Sequence, residues 1–187
     1  MAAKLPYMAS PGLIPKILGK VQEARRPERF TQDFLETKLG FSGGSARAII
    51  PLLKRLGFIA SDGTPTRLYD QFRNPDTQGG AMSQAIRDGY HELFERNEYA
   101  HELTKDKLVG LVTEITGASK DDSTTKCTVS TFNALKEFAD FEAQPEEETE
   151  EVTRAEQRAA PLSLPDEQPR RHAQQAPDDV NLAVSYT

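Results

Sequence analysis

Ser45, Arg47, Lys54 and Arg55 fall within one stretch, GGSARAIIPLLKRLGF (residues 43–58), and together they suit one kind of chemistry, the holding of phosphate. Glycines and a serine at the start of a helix leave backbone N–H groups open at the positive end of its dipole, where anions bind. Arg47, Lys54 and Arg55 project from one side of a helix together with Pro51. Ala46, Ile49, Ile50, Leu53 and Leu56 fall at the spacing of an inward face. On this reading the stretch is the second half of a helix-turn-helix whose outer face touches the phosphate backbone of nucleic acid. A solvated outer face on a structural helix accounts for the same residue types. The nucleotide-loop pattern G-x-x-x-x-G-K-[ST] is missing. Pro51 is the discordant residue: within a helix it forfeits the bond to the Arg47 carbonyl and should bend or delay the helix. On an exposed face water offsets part of that cost, so replacing Pro51 with Ala is expected to leave stability unchanged or raise it.

Catalytic chemistry has less to stand on. The histidines are His91, His101 and His172. HELFE (91–95) begins like a zinc-protease helix but has Glu95 where the second histidine ligand belongs, so that geometry fails. His91, Glu95 and Glu98 share one side of a helix and read as a solvated acidic face. Cys127 stands beside Lys126 with no base signalled nearby, and reads as half-buried packing on a helix with Phe132, Leu135 and Phe138. No nucleophile motif, metal-ligand set or nucleotide fingerprint is present. Neither a catalytic residue nor a cofactor is expected, and the chain reads as a binding protein.

The charge balance favours an anionic partner for the front of the chain. Residues 1–74 hold 12 Lys and Arg against 6 Asp and Glu, residues 75–142 hold 7 against 13, and residues 143–187 hold 4 against 10. The net charge of −6 therefore conceals a basic first third. A single cysteine excludes a disulfide framework and fits a reducing compartment. MAAKLPYMAS has no apolar run suited to a signal peptide, and no stretch is long enough to span a membrane. A cytoplasmic protein without a membrane partner is the expectation.

The elements that must position these residues are nearly all helical, over a domain of residues 1–142. SPGLIPKILGKVQEAR places Ile14, Ile17, Leu18 and Val21 on one face. In FTQDFLETKLGF, Thr31 is the N-cap, Asp33 lies in the first turn, Gly40 is the stop, and Phe30 with Leu35 has the spacing of a hydrophobic staple. LTKDKLVGLVTEITGA repeats the device with Thr104, Asp106, Gly117 and the pair Leu103–Leu108. Each is followed by a segment rich in Lys and Leu or Phe that reads as helix, LLKRLGF (52–58) and ALKEFADF (134–141). This admits a tandem of two helix-turn-helix-like units over 1–74 and 75–142, although limited capping chemistry produces the same likeness. Between them, Thr64 and Pro65 read as cap and first position of a helix with Leu68, Tyr69 and Phe72 inward, stopped by Asn74-Pro75. Met82, Ile86, Tyr90, Leu93 and Phe94 form the stripe of one further helix. GFIASDG offers one short strand and a turn, so the wing of a winged helix-turn-helix is absent or vestigial.

Residues 143–179 carry five prolines, no aromatic residue and an acidic bias, and read as a disordered linker. Residues 180–187, VNLAVSYT, alternate Val180, Leu182, Val184 and Tyr186 as a β-strand does. Such a strand must pair with a sheet edge, so the stretch Val180–Tyr186 is a candidate docking element for protein partners.

LPYMASPGLIPKIL, PERFTQDFLETKLGF, GSARAIIPLLKRLGFI, SDGTPTRLYDQFRNP, LFERNEYAHEL and TFNALKEFADFE occur in this order over residues 5–142. In order and spacing they resemble a bacterial family catalogued as a domain of unknown function. The resemblance implies no activity. Its members end on an INL…LNLP-like strand leading into a final helix, whereas VNLAVSYT stops at the strand, which points to a shortened or trimmed ending. Two functions are compatible with the sequence: a helix-turn-helix-like protein contacting nucleic acid through Ser45, Arg47, Lys54 and Arg55, or an adaptor docking proteins through its helical body and terminal strand.

Overall fold

A chain whose first regular element begins at residue 11 would usually leave its leading segment on the surface. Here that segment lies in the core. The computed structural model describes residues 4–142, and within them Leu5 and Met8 are buried although neither belongs to a helix. The buried Tyr90 hydroxyl donates to the Pro6 carbonyl at 2.8 Å, and the Met8 N–H donates to Thr131 Oγ1 at 3.0 Å. An extended segment has no ladder of its own, so these bonds satisfy backbone groups whose burial would otherwise cost free energy.

A 3-10 turn over Pro11–Leu13 leads into α1 (Ile14–Glu23), whose Ile14, Ile17, Leu18 and Val21 are all buried as their spacing predicts. Arg73 reaches back to cap the end of α1, donating to the carbonyls of Val21 and Ala24. Next comes α2 (Gln32–Thr37), with Thr31 accepting from the Phe34 N–H at 3.2 Å, and Phe30 and Leu35 buried as the staple requires. The helix itself stops at Thr37, and Gly40 turns the chain with φ of 78°.

GGSARAIIPLLKRLGF is not one helix. It forms α3 (Gly44–Arg47) and α4 (Ile49–Arg55), separated at Ala48. The physical reason is Pro51. Its ring has no N–H to offer the Arg47 carbonyl and would crowd it, so the helix restarts and places Pro51 in a first turn, where amides have no helical partner anyway. The restart also shifts the inward face: Leu52 is buried with Ile49, Leu53 and Leu56, whereas Ile50 is only half-buried.

After α4 an isolated antiparallel bridge pairs Ile59 with Pro65. Ala60 N–H donates to the Thr64 carbonyl at 2.8 Å, and Thr66 N–H to that of Phe58 at 3.0 Å. Pro65 is therefore in the bridge and not in a helix. The expected helix begins two residues later as α5 (Arg67–Arg73), with Thr66 at its N-cap. Gly63 sits at φ 90°, and its carbonyl accepts from the Phe30 N–H at 2.7 Å, tying this small hairpin to the entry of α2.

The stripe from Met82 to Phe94 is split between α6 (Gln78–Gly89) and α7 (His91–Arg96), with Tyr90 between them at φ −119° and ψ 29°. Its residues remain inward, Phe94 only partly. A Cβ on Gly89 would come within 2.7 Å of Leu56 Cδ2, so glycine lets α6 approach α4. A second 3-10 turn, Ala100–Glu102, precedes α8 (Lys105–Thr116), which ends on Gly117 at φ 69°. The last helix among the described residues is α9 (Ser123–Lys136). It stops well short of residue 141, so Phe138 and Phe141 pack from the loop that follows.

Helix α9 packs on α1, α6 and α8, and α5 packs on α6. Buried side chains from Leu5 to Leu135 share one core. Among the described residues the protein is mainly helical. The linker expected over 143–179 and the strand expected over 180–187 lie outside the described residues.

His101 stacks on Phe141, with ring centroids 4.2 Å apart and planes 18° from parallel. Phe94 lies 6.1 Å from the same imidazole, and Arg87 sits over the Phe141 ring. Burial holds the His101 pKa below the usual imidazole value; Glu102 opposes this shift, and Arg87 and Lys136 add to it.

Two tests follow from this packing. Tyr90→Phe leaves the Pro6 carbonyl buried without its donor and should reduce unfolding stability by about 1–3 kcal/mol in urea melts. For His101, the folded ring resists a proton that the unfolded chain accepts. Its contribution is therefore complete above about pH 6.5 and is lost as pH falls further. His101→Phe should flatten that part of the stability–pH curve, and curves that stay parallel below pH 6.5 would show that the ring does not titrate with folding.

Candidate nucleic-acid interface

Each residue of the candidate site occupies a different local setting. Ser45 is exposed in α3, a single turn whose N-cap is Gly43 at φ 89°. A helix this short supplies little aligned dipole, so the turn offers backbone and hydroxyl groups more than a macrodipole. Arg47 closes the same turn. Its guanidinium lies 3.3 Å from Glu36 Oε1 on α2, an oxygen that also accepts from Gln32 Nε2 at 2.9 Å. A carboxylate thus offsets the charge of Arg47.

Lys54 and Arg55 differ in this respect. They are exposed neighbours in the last turn of α4, where the helix dipole favours cations. The Lys54 ammonium donates to the Ser61 carbonyl at 2.6 Å, across to the small hairpin. The Arg55 guanidinium donates to the Lys4 carbonyl at 2.5 Å, across to the leading segment. Neutral carbonyls orient these side chains without cancelling their charge. The structure therefore separates the three cations into one compensated by Glu36 and two held on carbonyls, directed to opposite neighbours of α4.

The surrounding charge follows the same division. Among the acids of the first half, Glu23 pairs with Lys20 at 2.7 Å, Asp70 with Arg26 at 2.6 Å and Asp62 with Arg29 at 3.7 Å. Asp62 also accepts from the N–H and hydroxyl of Thr64, which hold its carboxyl below the usual carboxylate range. These bonds fix the hairpin that anchors Lys54.

Three residues that the sequence did not single out as binding residues complete the surroundings of Arg55. Lys4, Tyr7 and Pro51 line a surface pocket of about 250 Å³ together with Leu5, Pro6, Leu52 and Arg55. No periodicity places residues 4–7 beside α4. Tyr7 does carry a weak signal, as an aromatic in an extended segment flanked by residues that bury.

The other candidates do not converge. His91, Glu95 and Glu98 are exposed. Cys127 is half-buried, with its sulfur 3.9 Å from the Ala9 carbonyl. Among the described residues no group of three His, Cys, Asp or Glu is placed to hold a metal ion, and no helix is long and apolar enough to cross a membrane.

Residues 6–146 match the model of DUF5343, a family of unknown function, and the chain belongs to that family. No curated protein and no solved structure matches it.

Placing Pro51 in the first turn of α4 changes what its replacement should do. Pro51→Ala should alter stability by no more than about 1 kcal/mol, through unfolded-state entropy. The gain of about 3 kcal/mol that follows relief of a mid-helix proline should not appear in thermal or urea melts.

Proposed function

We propose that this member of DUF5343 is a non-enzymatic protein that binds nucleic acid through phosphate contacts from its basic first half. One observation carries the reading: Lys54 and Arg55 are oriented by neutral carbonyls at a fixed place on α4, and no carboxylate among the described residues forms an ion pair with either. Counterion release makes such cations effective on a polyanion, and rigid placement lowers the ordering cost of each contact. The succession of α2, a glycine-rich turn and α3–α4 resembles a helix-turn-helix. The bridge of Ile59 with Pro65 stands where a winged variant would have its hairpin. It is too short to act as a wing, so the contacts fall on phosphates more than on base edges. Arg47 contributes less than its neighbours because Glu36 offsets it. Ser45 adds a hydroxyl donor at the edge of the same face.

Titration of a duplex oligonucleotide at several salt concentrations tests this directly. Binding should be in the micromolar range near physiological salt. Replacing both Lys54 and Arg55 by Ala should reduce the magnitude of the slope of log K against log salt by about 1.8. Arg47→Ala should change it by less than either single replacement. A wild-type protein that binds neither duplex nor single strand at low salt overturns the proposal.

A further inference from the structure

The pocket beside Arg55 has features that a duplex-binding face does not need. Its walls are apolar, from Leu5, Pro6, Pro51 and Leu52, and Lys4 and Arg55 are its two cations. Among the described residues none that lines it is acidic. At about 250 Å³ it is smaller than the roughly 300–1,000 Å³ of pockets for larger ligands, and suits one ring with an attached anionic group.

Tyr7 supplies the ring face. It is 40% exposed, one of two large apolar side chains left open among the described residues. Its neighbours Pro6 and Met8 are buried and held through the Tyr90 hydroxyl and Thr131 Oγ1. The backbone on either side of the exposed ring is thus fastened into the core. A ring held this way loses little freedom when another ring stacks on it. Arg55 is likewise held in place, one of its N–H groups engaged by the Lys4 carbonyl.

We propose that this pocket takes one nucleotide of a single-stranded nucleic acid, its base stacked on Tyr7 and its phosphate on Arg55 and Lys4. Pro51 is then a wall of the site as well as the residue that restarts the helix. In a duplex the base faces are covered by their neighbours, so only an unpaired strand can use the pocket; its other phosphates reach Lys54 across α4. The inference rests on the nucleic-acid reading above and adds a preference for the unpaired form.

The test compares a 12-nucleotide oligo(dT), the matching duplex and thymidine monophosphate, binding to wild type, Tyr7→Ala and Tyr7→Phe. Tyr7→Ala should weaken oligo(dT) binding by about 5- to 150-fold, the range one base–aromatic stack supplies. It should leave the salt slope and duplex binding unchanged, because no phosphate contact is lost. Tyr7→Phe should bind oligo(dT) like wild type, since the ring face is kept. Thermal melts of the variants should match wild type, as the side chain is not part of the core. If Tyr7→Ala binds oligo(dT) as tightly as wild type, the pocket proposal is overturned while the basic-face reading stands. Thymidine monophosphate binding as tightly as the oligomer would also overturn it, assigning the pocket to a free nucleotide. If wild type binds none of the three probes at low salt, both proposals fail.

Discussion

The hydrogen bond from the buried Tyr90 hydroxyl to the Pro6 carbonyl is the constraint around which the domain is arranged. A tyrosine oxygen deep in an apolar core must find a partner, and burial raises its pKa far above the ordinary phenol value. The partner it finds is 84 residues away, in a segment with no secondary structure of its own. Tyr90 also breaks the helical run into α6 and α7 and packs edge-on against Phe132 of α9, with ring centroids 5.1 Å apart. The same aromatic thus joins the segment before α1 to α9.

Threonines complete this polar seam inside the core. Thr131 accepts from the Met8 N–H, Thr128 donates back to the Thr124 carbonyl, and Thr125 donates to that of Ser119. Each buried hydroxyl has a partner, so the polar face of α9 is buried without leaving an orphan. Tyr69 differs: its hydroxyl is buried without a hydrogen-bond partner among the described residues, and burial pushes its pKa up to about 12. It sits near Arg26 and Arg73, which tie α5 to α1 and to the residues just after it.

The surface considered for binding is a consequence of that core. Because Leu5, Pro6 and Met8 are buried, Lys4 and Tyr7 are brought against α4. Because Pro51 restarts the helix, Lys54 and Arg55 fall in the final turn of α4, between the leading segment and the hairpin. A few backbone carbonyls then decide where each cation points. Ion pairing settles the rest: Glu36 claims Arg47, and no such carboxylate lies within reach of Lys54 or Arg55 among the described residues.

Much of this was legible in the sequence. The apolar stripe of α1, the Thr31 cap and the left-handed stop at Gly117 are local, because capping and periodicity involve residues at most a few positions apart. The charge division between the two halves is also a property of the sequence alone. Helix ends were less legible: Pro65 went to a bridge instead of a first turn, Tyr90 divided one stripe between two helices, and α9 stopped at Lys136. Pro65 bridges back to Ile59, and Tyr90 reaches Pro6 with its hydroxyl, pairings that helical periodicity does not signal. Sequence by itself thus determined which residues turn inward on most helices and which half carries positive charge. Only the tertiary structure decided that Pro6 and Met8 lie beneath the surface, that Arg47 pairs with Glu36, and that Tyr7 and Arg55 line the same pocket. Hydrophobic spacing says which side of an element seeks cover, but the group that covers it is chosen by chain closure over tens of residues.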